Sequence, residues 1–253
     1  MRGAWARFGV LVVVTALVLV PIAVTVGAVI LPGGHAPSLR EFVPFVSGEG
    51  LTWFGNSLAV SLGTAAVCVL VGAPAGYVLS RGRSRLVSGY ALVVFVLQAF
   101  PLVLAIVPLF ILFARVGLVD SLPGVALVYI GAGVPVAVWL MSSGVDGVPV
   151  SLEEAAWIDG CSVASAYLRI VLRNSLPAVL TTALVSFLFA WNDYLVAFVF
   201  LRSEQNYSLA IGLETSGHSP VLALLIMLPP VVLFAVFHRH FRFGGVAGAF
   251  GGV

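Results

Sequence analysis

Apolar positions in this chain neither alternate at the period of a strand nor fall into single stripes along helices. They come in long, nearly unbroken runs. Six of these, at residues 8–31, 56–80, 88–113, 123–142, 177–201 and 219–237, approach or exceed the length of about 20 helical residues that crosses a bilayer core. The pattern predicts an all-α, polytopic membrane protein with six transmembrane helices in one domain, residues 1–253. The first run follows Arg2 and Arg7, and Val26-Gly27-Ala28 resembles a signal-peptide cleavage site. Its apolar stretch reaches Leu31, however, beyond the roughly 7–15 residues of a signal core, so it is read as an uncleaved helix. Pro74, Pro101, Pro108, Pro135 and Pro229-Pro230 lie inside runs. Helices there should be kinked or broken, with neighbours or a wet cavity satisfying the freed backbone groups.

One interval departs from the pattern. Residues 144–176 form the longest polar loop, between the fourth and fifth runs, and contain Glu153-Glu154-Ala155-Ala156-Trp157-Ile158-Asp159-Gly160. Ser151-Leu152-Glu153-Glu154 has the form of a capping box, which predicts a short helix starting at Leu152 with Glu154 reaching back to its cap. Gly160 is placed to end that helix with a positive φ. Ser162 can cap a second helix through about Leu172, before Pro177 opens the next span. The small Ala155 and Ala156 would let another surface approach closely. The plain alternative is a solvated amphipathic loop.

Composition agrees with the membrane reading: 61% of residues are hydrophobic, 9% are charged, and mean hydropathy is +1.15. A net charge of +2 gives no reason to expect a nucleic-acid partner. All twelve basic residues are Arg, which excludes a P-loop lysine and a lysine Schiff base, so no ATP site of that type is expected here. Arg2, Arg7, Arg81, Arg83, Arg85, Arg169, Arg173, Arg239 and Arg242 share one face of the six-span topology. Only Arg40, Arg115 and Arg202 share the other. By the positive-inside rule the first face, with both termini and the 144–176 loop, is cytoplasmic. Cys68 lies in a run and Cys161 in the loop, and both are read as free thiols.

Within the runs, Asp193 is the only acid. A carboxylate near a span centre costs about 2.5–3.5 kcal/mol on insertion scales, so Asp193 should face protein or water. On a continuous fifth helix, Ser175, Thr182, Ser186 and Asp193 would form one stripe, with Asn192 and Thr181 in a second stripe beside it. This polar face, with Gln98 before Pro101, is the candidate lining of a polar path through the membrane or of an interface with a partner chain. A structural hydrogen bond from Asp193 to a neighbouring helix is the alternative. His238 and His240 do not share a helix face, and His35 and His218 lack ligand spacing, so no metal site is expected.

Glu154-Ala155-Ala156, three residues, Gly160, nine residues, then Ile170-x-Leu172 resembles the EAA loop of ABC-importer permease subunits. Arg173 stands where that pattern has proline. The resemblance, which extends from about residue 56 to the end, continues in Asn56–Ser61 ("NSLAVS"), Gly76–Arg81 ("GYVLSR") and Gly117-Leu118-Val119-Asp120. Pro149, Asp159-Gly160, Pro177, Phe189–Phe198 ("FAWNDYLVAF") and the Gly-Ala-rich tail after Arg242 also match. Together these are similar to the carbohydrate-type, MalG-like subgroup. The tail lacks the family's lysine, and the loop at 202–218 is short for it.

The resemblance implies a non-catalytic subunit in a bacterial or archaeal inner membrane. It implies pairing with a homologous permease, two ATPase subunits and an external solute-binding protein. No cofactor is implied in this chain; ATP and Mg would belong to the ATPase. Glu153, Glu154, Ala155, Ala156, Asp159 and Gly160 would be the ATPase-coupling residues. No Arg lies within a run to hold a phosphate, so a neutral sugar or related polyol is the expected solute. Two rivals remain. A secondary transporter would show inverted repeats around a midplane ion site, and an intramembrane hydrolase would need paired acids or a nucleophile with its base.

Overall fold

A computed structural model of the chain describes residues 2–30, 48–217 and 219–241, with side chains except at 2–6, 18, 30 and 238–241. His35, Arg40, His218, Arg242 and the tail lie outside the described residues, as do the side chains of His238, Arg239 and His240. In order the elements are α1 (Arg2–Ile30), α2 (Gly50–Arg81), α3 (Arg85–Ala99), α4 (Leu102–Arg115), α5 (Leu122–Asp146) and α6 (Val150–Ile158). After these come α7 (Val163–Asn174), α8 (Leu176–Trp191), α9 (Leu195–Phe200), α10 (Leu209–Thr215) and α11 (Pro220–Phe241). All regular structure among the described residues is helical. Four helices are long and apolar enough to cross a membrane, or six if each of two bent pairs is one span.

One bent pair is the third run. It is not one kinked helix but α3 and α4, set 93° apart at Phe100-Pro101. Proline disfavours helical geometry in the residue before it, and Phe100 is extended (φ −75°, ψ 124°). The other pair, α7 with α8, bends by 74°. The fifth run also differs from expectation, because α8 stops at Trp191 and α9 begins at Leu195. The remaining span prolines, at 74, 108, 135, 229 and 230, sit within continuous helices. Pro230 cannot donate to the carbonyl of Ile226, and the Trp191 indole N–H does so instead at 2.8 Å.

The packing centre is α2 lying along α5, the most extensive helix contact, with α8 against both. Gly72 and Gly76, one helical turn apart, allow the approach. A Cβ at Gly76 would lie 2.7 Å from Met141 Cβ and Ser142 N, and one at Gly72 would lie 2.8 Å from Ala137 Cβ. Between apolar helices in lipid, close backbone approach replaces the hydrophobic effect as the source of association. Towards one end, Tyr129 and Phe200 centre a cluster with Phe110 and Phe113, whose rings meet Phe200 edge-on. Beside it, Trp53, Phe54, Phe187, Trp191, Leu209 and Leu222 pack α2 to α8, α10 and α11.

The loops at that end are tied by Asp120, which adopts φ 57°. Its carboxylate accepts from the amides of Arg202 (2.8 Å) and Ser203 (3.0 Å), from the Ser203 hydroxyl and from Asn206 Nδ2 (3.2 Å). Partial burial alone would raise its pKa, but these donors prevail and lower it from 3.8 to about 2. At the same end Trp53 Nε1 donates to Glu204 O, and Asn56 Nδ2 donates to Gln205 O and Tyr207 O.

Two measurements check this account. Gly76→Leu forces a side chain into the α5 backbone and should destabilise the purified protein by about 1–3 kcal/mol or more, seen as a lower unfolding midpoint. A group whose folded pKa is depressed stabilises above its unfolded value and ceases to do so as pH falls through the folded one. The difference in unfolding midpoint between the native chain and Asp120→Ala should therefore hold from pH 7 to about 4 and shrink towards pH 2.

Candidate functional site

The polar segment forms a two-helix protrusion at the opposite end from Asp120. Its first helix, α6, begins at Val150 with Pro149 at the cap position and no side-chain cap bond. The expected capping box is therefore absent. Pro149 pre-sets the entry, the helix starts two residues early, and Glu154 lies past the position from which it could reach back. The end of α6 follows expectation. Gly160 has φ +84°, its N–H donates to Trp157 O at 3.0 Å, and Cys161 N–H donates to Ala156 O at 2.9 Å. This paired arrangement is a Schellman cap. Ser162 then caps α7 by accepting from Ser165 N at 3.2 Å. Within α7, residues Tyr167–Val171 form a π-helical turn.

Within α6 only one of the two glutamates turns inward. Glu153 and Ala156, three apart on one helix face, are buried, while Ser151, Glu154, Ala155 and Ile158 are exposed on the other. Glu153 is only 1% exposed and its charge is matched. Arg81 Nε donates to Oε1 at 2.7 Å and the Tyr77 hydroxyl donates to Oε2 at 2.7 Å. Arg81 also donates to Val145 O (3.1 Å) and Val148 O (2.7 Å) near the C-terminus of α5, where carbonyls lack intrahelical partners. Ser80 donates to Asp146 beside it, and the Tyr77 and Tyr167 rings lie 4.9 Å apart. Breaking such a buried pair from one side costs about 3–5 kcal/mol, because the other charge stays buried.

The exposed side of the protrusion carries apolar bulk. Ile158 is 86% exposed, Leu152 44% and Trp157 41%. Asp159 and Gly160 are exposed beside them. The sequence reading placed Glu153, Glu154, Ala155, Ala156, Asp159 and Gly160 in one functional group. The structure divides them into an anchoring side (Glu153, Ala156) and a presenting side. The sequence reading did not point to the anchor's other half, Arg81 and Tyr77. The available signal was their spacing of four at the end of a span, facing adjacent acids of which only one could point outward.

The polar residues assigned to a path or interface do not form one stripe. Thr182 and Ser186 are on α8 and buried inside the chain's own packing; Ser175 precedes the helix and Asp193 follows it. Asp193 Oδ2 accepts from the Tyr129 hydroxyl (2.8 Å) and from the amides of Val196 (2.8 Å) and Ala197 (3.4 Å), so it caps α9. A carboxylate at a helix N-terminus is favoured by the dipole and by the unpaired amides there. Asn192 and Gln98 are both exposed, at separate breaks in the helices.

Comparison with known proteins supplies the family. Residues 68–244 match the family described as "Binding-protein-dependent transport system inner membrane component". The trehalose transport system permease protein SugB of Mycobacterium tuberculosis is 30% identical over 77% of this chain and 74% of its own length. The galactooligosaccharides transport system permease protein GanQ of Bacillus subtilis is 29% identical over 92% and 90%. A solved bacterial ABC transporter involved in the import of alginate, an acidic polysaccharide, shares the fold. It superposes with a TM-score of 0.78 over 95% of this chain and 96% of that one, at 19% identity. With apolar helices in several passes and a two-helix protrusion at one end, the chain belongs to the inner-membrane permease components of binding-protein-dependent ABC importers.

Proposed function

We propose that this permease carries a sugar or related polyol, and that α6 docks on a separate cytoplasmic ATPase. The observation that carries the docking reading is Ile158, 86% exposed on a helix whose opposite face is locked down by Glu153. An apolar side chain held rigidly outside the spans is suited to a pocket on another protein. Glu154 beside it adds a charge, and the tight turn at Gly160 keeps the protrusion short. ATP and Mg act in the ATPase, and closure there displaces α6. The displacement shifts the balance between inward-open and outward-open arrangements in proportion to the contact energy that differs between them. A homologous permease would complete the path, and an external binding protein would deliver solute.

The sugar assignment draws support from relatives named for trehalose and galactooligosaccharides and from spans that offer no arginine to an anionic solute. The Arg asymmetry supports a cytoplasmic protrusion and cytoplasmic termini.

Ile158→Asp and Gly160→Val test the docking role, the first by charging the knob and the second by forcing a β-branched residue into positive φ. Both should reach the membrane in normal amounts, lose ATPase co-purification and lower ATP-driven sugar uptake by about tenfold, equivalent to 1.4 kcal/mol. Normal uptake in both would reduce the protrusion to a solvated loop. For orientation, a membrane-impermeant thiol reagent should reach Cys161 only from the cytoplasmic side. Cys68, buried in α2, should stay protected.

A further inference from the structure

α6 is joined by chain to α5 through residues 147–149 and to α8 through α7. It has no short covalent route to α2: Arg81 and Glu153 are 72 residues apart. Yet both carboxylate oxygens of Glu153 are held by α2, one by Arg81 and one by Tyr77 a turn earlier. The same guanidinium donates to Val145 O in the last turn of α5 and to Val148 O in the linker that follows. One cation thus joins three elements, and it is the last residue of a helix of 32 residues, about 48 Å long at 1.5 Å per residue. At the far end of that helix Trp53 and Asn56 hold the 204–207 loop, and Ser57 accepts from Leu209 N at 2.8 Å.

We propose that the Arg81–Glu153 pair is a strut that carries displacement of α6 into α2 and so to the loops at the opposite face. Arg81 is then a positioning residue for coupling and touches neither ATPase nor solute. Three features separate it from an ordinary surface ion pair. Glu153 is buried, so water cannot readily replace its partners. Nε and a terminal nitrogen engage different elements, a geometry lysine cannot reproduce. And α2 runs from Gly50 to Arg81 as one helix, Pro74 costing it one backbone hydrogen bond but no break, so a push at Arg81 is carried along a single element.

This inference rests on the docking reading above, and the experiment keeps the two apart. Arg81→Gln, Arg81→Lys, Glu153→Gln and Ile158→Asp are each reconstituted with the ATPase, the partner permease and the binding protein. ATP hydrolysed and solute imported are then measured in the same vesicles. The strut predicts that Arg81→Gln and Glu153→Gln still bind the ATPase and hydrolyse ATP. Solute imported per ATP should fall at least about fivefold, the low end of measured coupling factors, with Arg81→Lys in between. An unchanged ratio overturns the proposal. So does a loss of ATPase binding in proportion to uptake, which would make the pair a support for the docking face alone. Failure of both Arg81→Gln and Glu153→Gln to accumulate would make it a folding contact and overturn it equally. If Ile158→Asp leaves binding and uptake intact, the docking reading fails and the strut with it. If Ile158→Asp abolishes both while the Arg81 variants keep the native ratio, only the strut falls.

Discussion

α2 can lie against α5 because Gly72 and Gly76 present no side chain to it, and most of the fold is arranged around that contact. In lipid there is no hydrophobic gain in bringing two apolar helices together; what holds them is the density of packing. With backbones this close, Arg81 at the end of α2 arrives within reach of the α5 carbonyls and of Glu153. At the other end the same alignment sets Trp53, Asn56 and Ser57 against the segment that leads into α10. Two glycines thus fix the geometry of both faces.

A second constraint is that backbone groups cannot be left to water where there is none. At three places where helical bonding is interrupted the chain meets it with its own side chains. Pro230 frees the Ile226 carbonyl and Trp191 takes it. The gap between α8 and α9 exposes amides and Asp193 accepts from them. At the end of α5 Arg81 donates to Val145 O and, just past the helix, to Val148 O. Asp193, one of the path candidates, thus serves as a cap, while Thr182 and Ser186 are buried between helices rather than on an open surface.

The sequence was legible where local chemistry decides the outcome. Long apolar runs announced the spans, and Gly160 and Ser162 stand where the turn and second cap were expected, because each answers to its immediate neighbours. It was misleading where the decision is a register of one or two residues. Ser151 and Glu154 have the spacing of a capping box, but Pro149 starts the helix earlier and no cap bond forms; Glu153 lies inside and Glu154 outside. The fifth run looked continuous because hydropathy does not register a break that a carboxylate can cap. The partner of Glu153 lies 72 residues away, and its trace in the sequence was the spacing of Tyr77 and Arg81 at the end of a span.

The contact between Tyr129 and Asp193 bears on how the protein is made. Seven residues into α5, Tyr129 lies about 10 Å along that helix from its start, so the carboxylate it binds is held against the body of α5 rather than at its end. α9, at six residues, spans only about 9 Å and cannot carry an acid into a bilayer by its own hydrophobicity. But Tyr129 precedes Asp193 by 64 residues and leaves the ribosome first. The order of synthesis therefore makes the hydroxyl before the carboxylate that it binds.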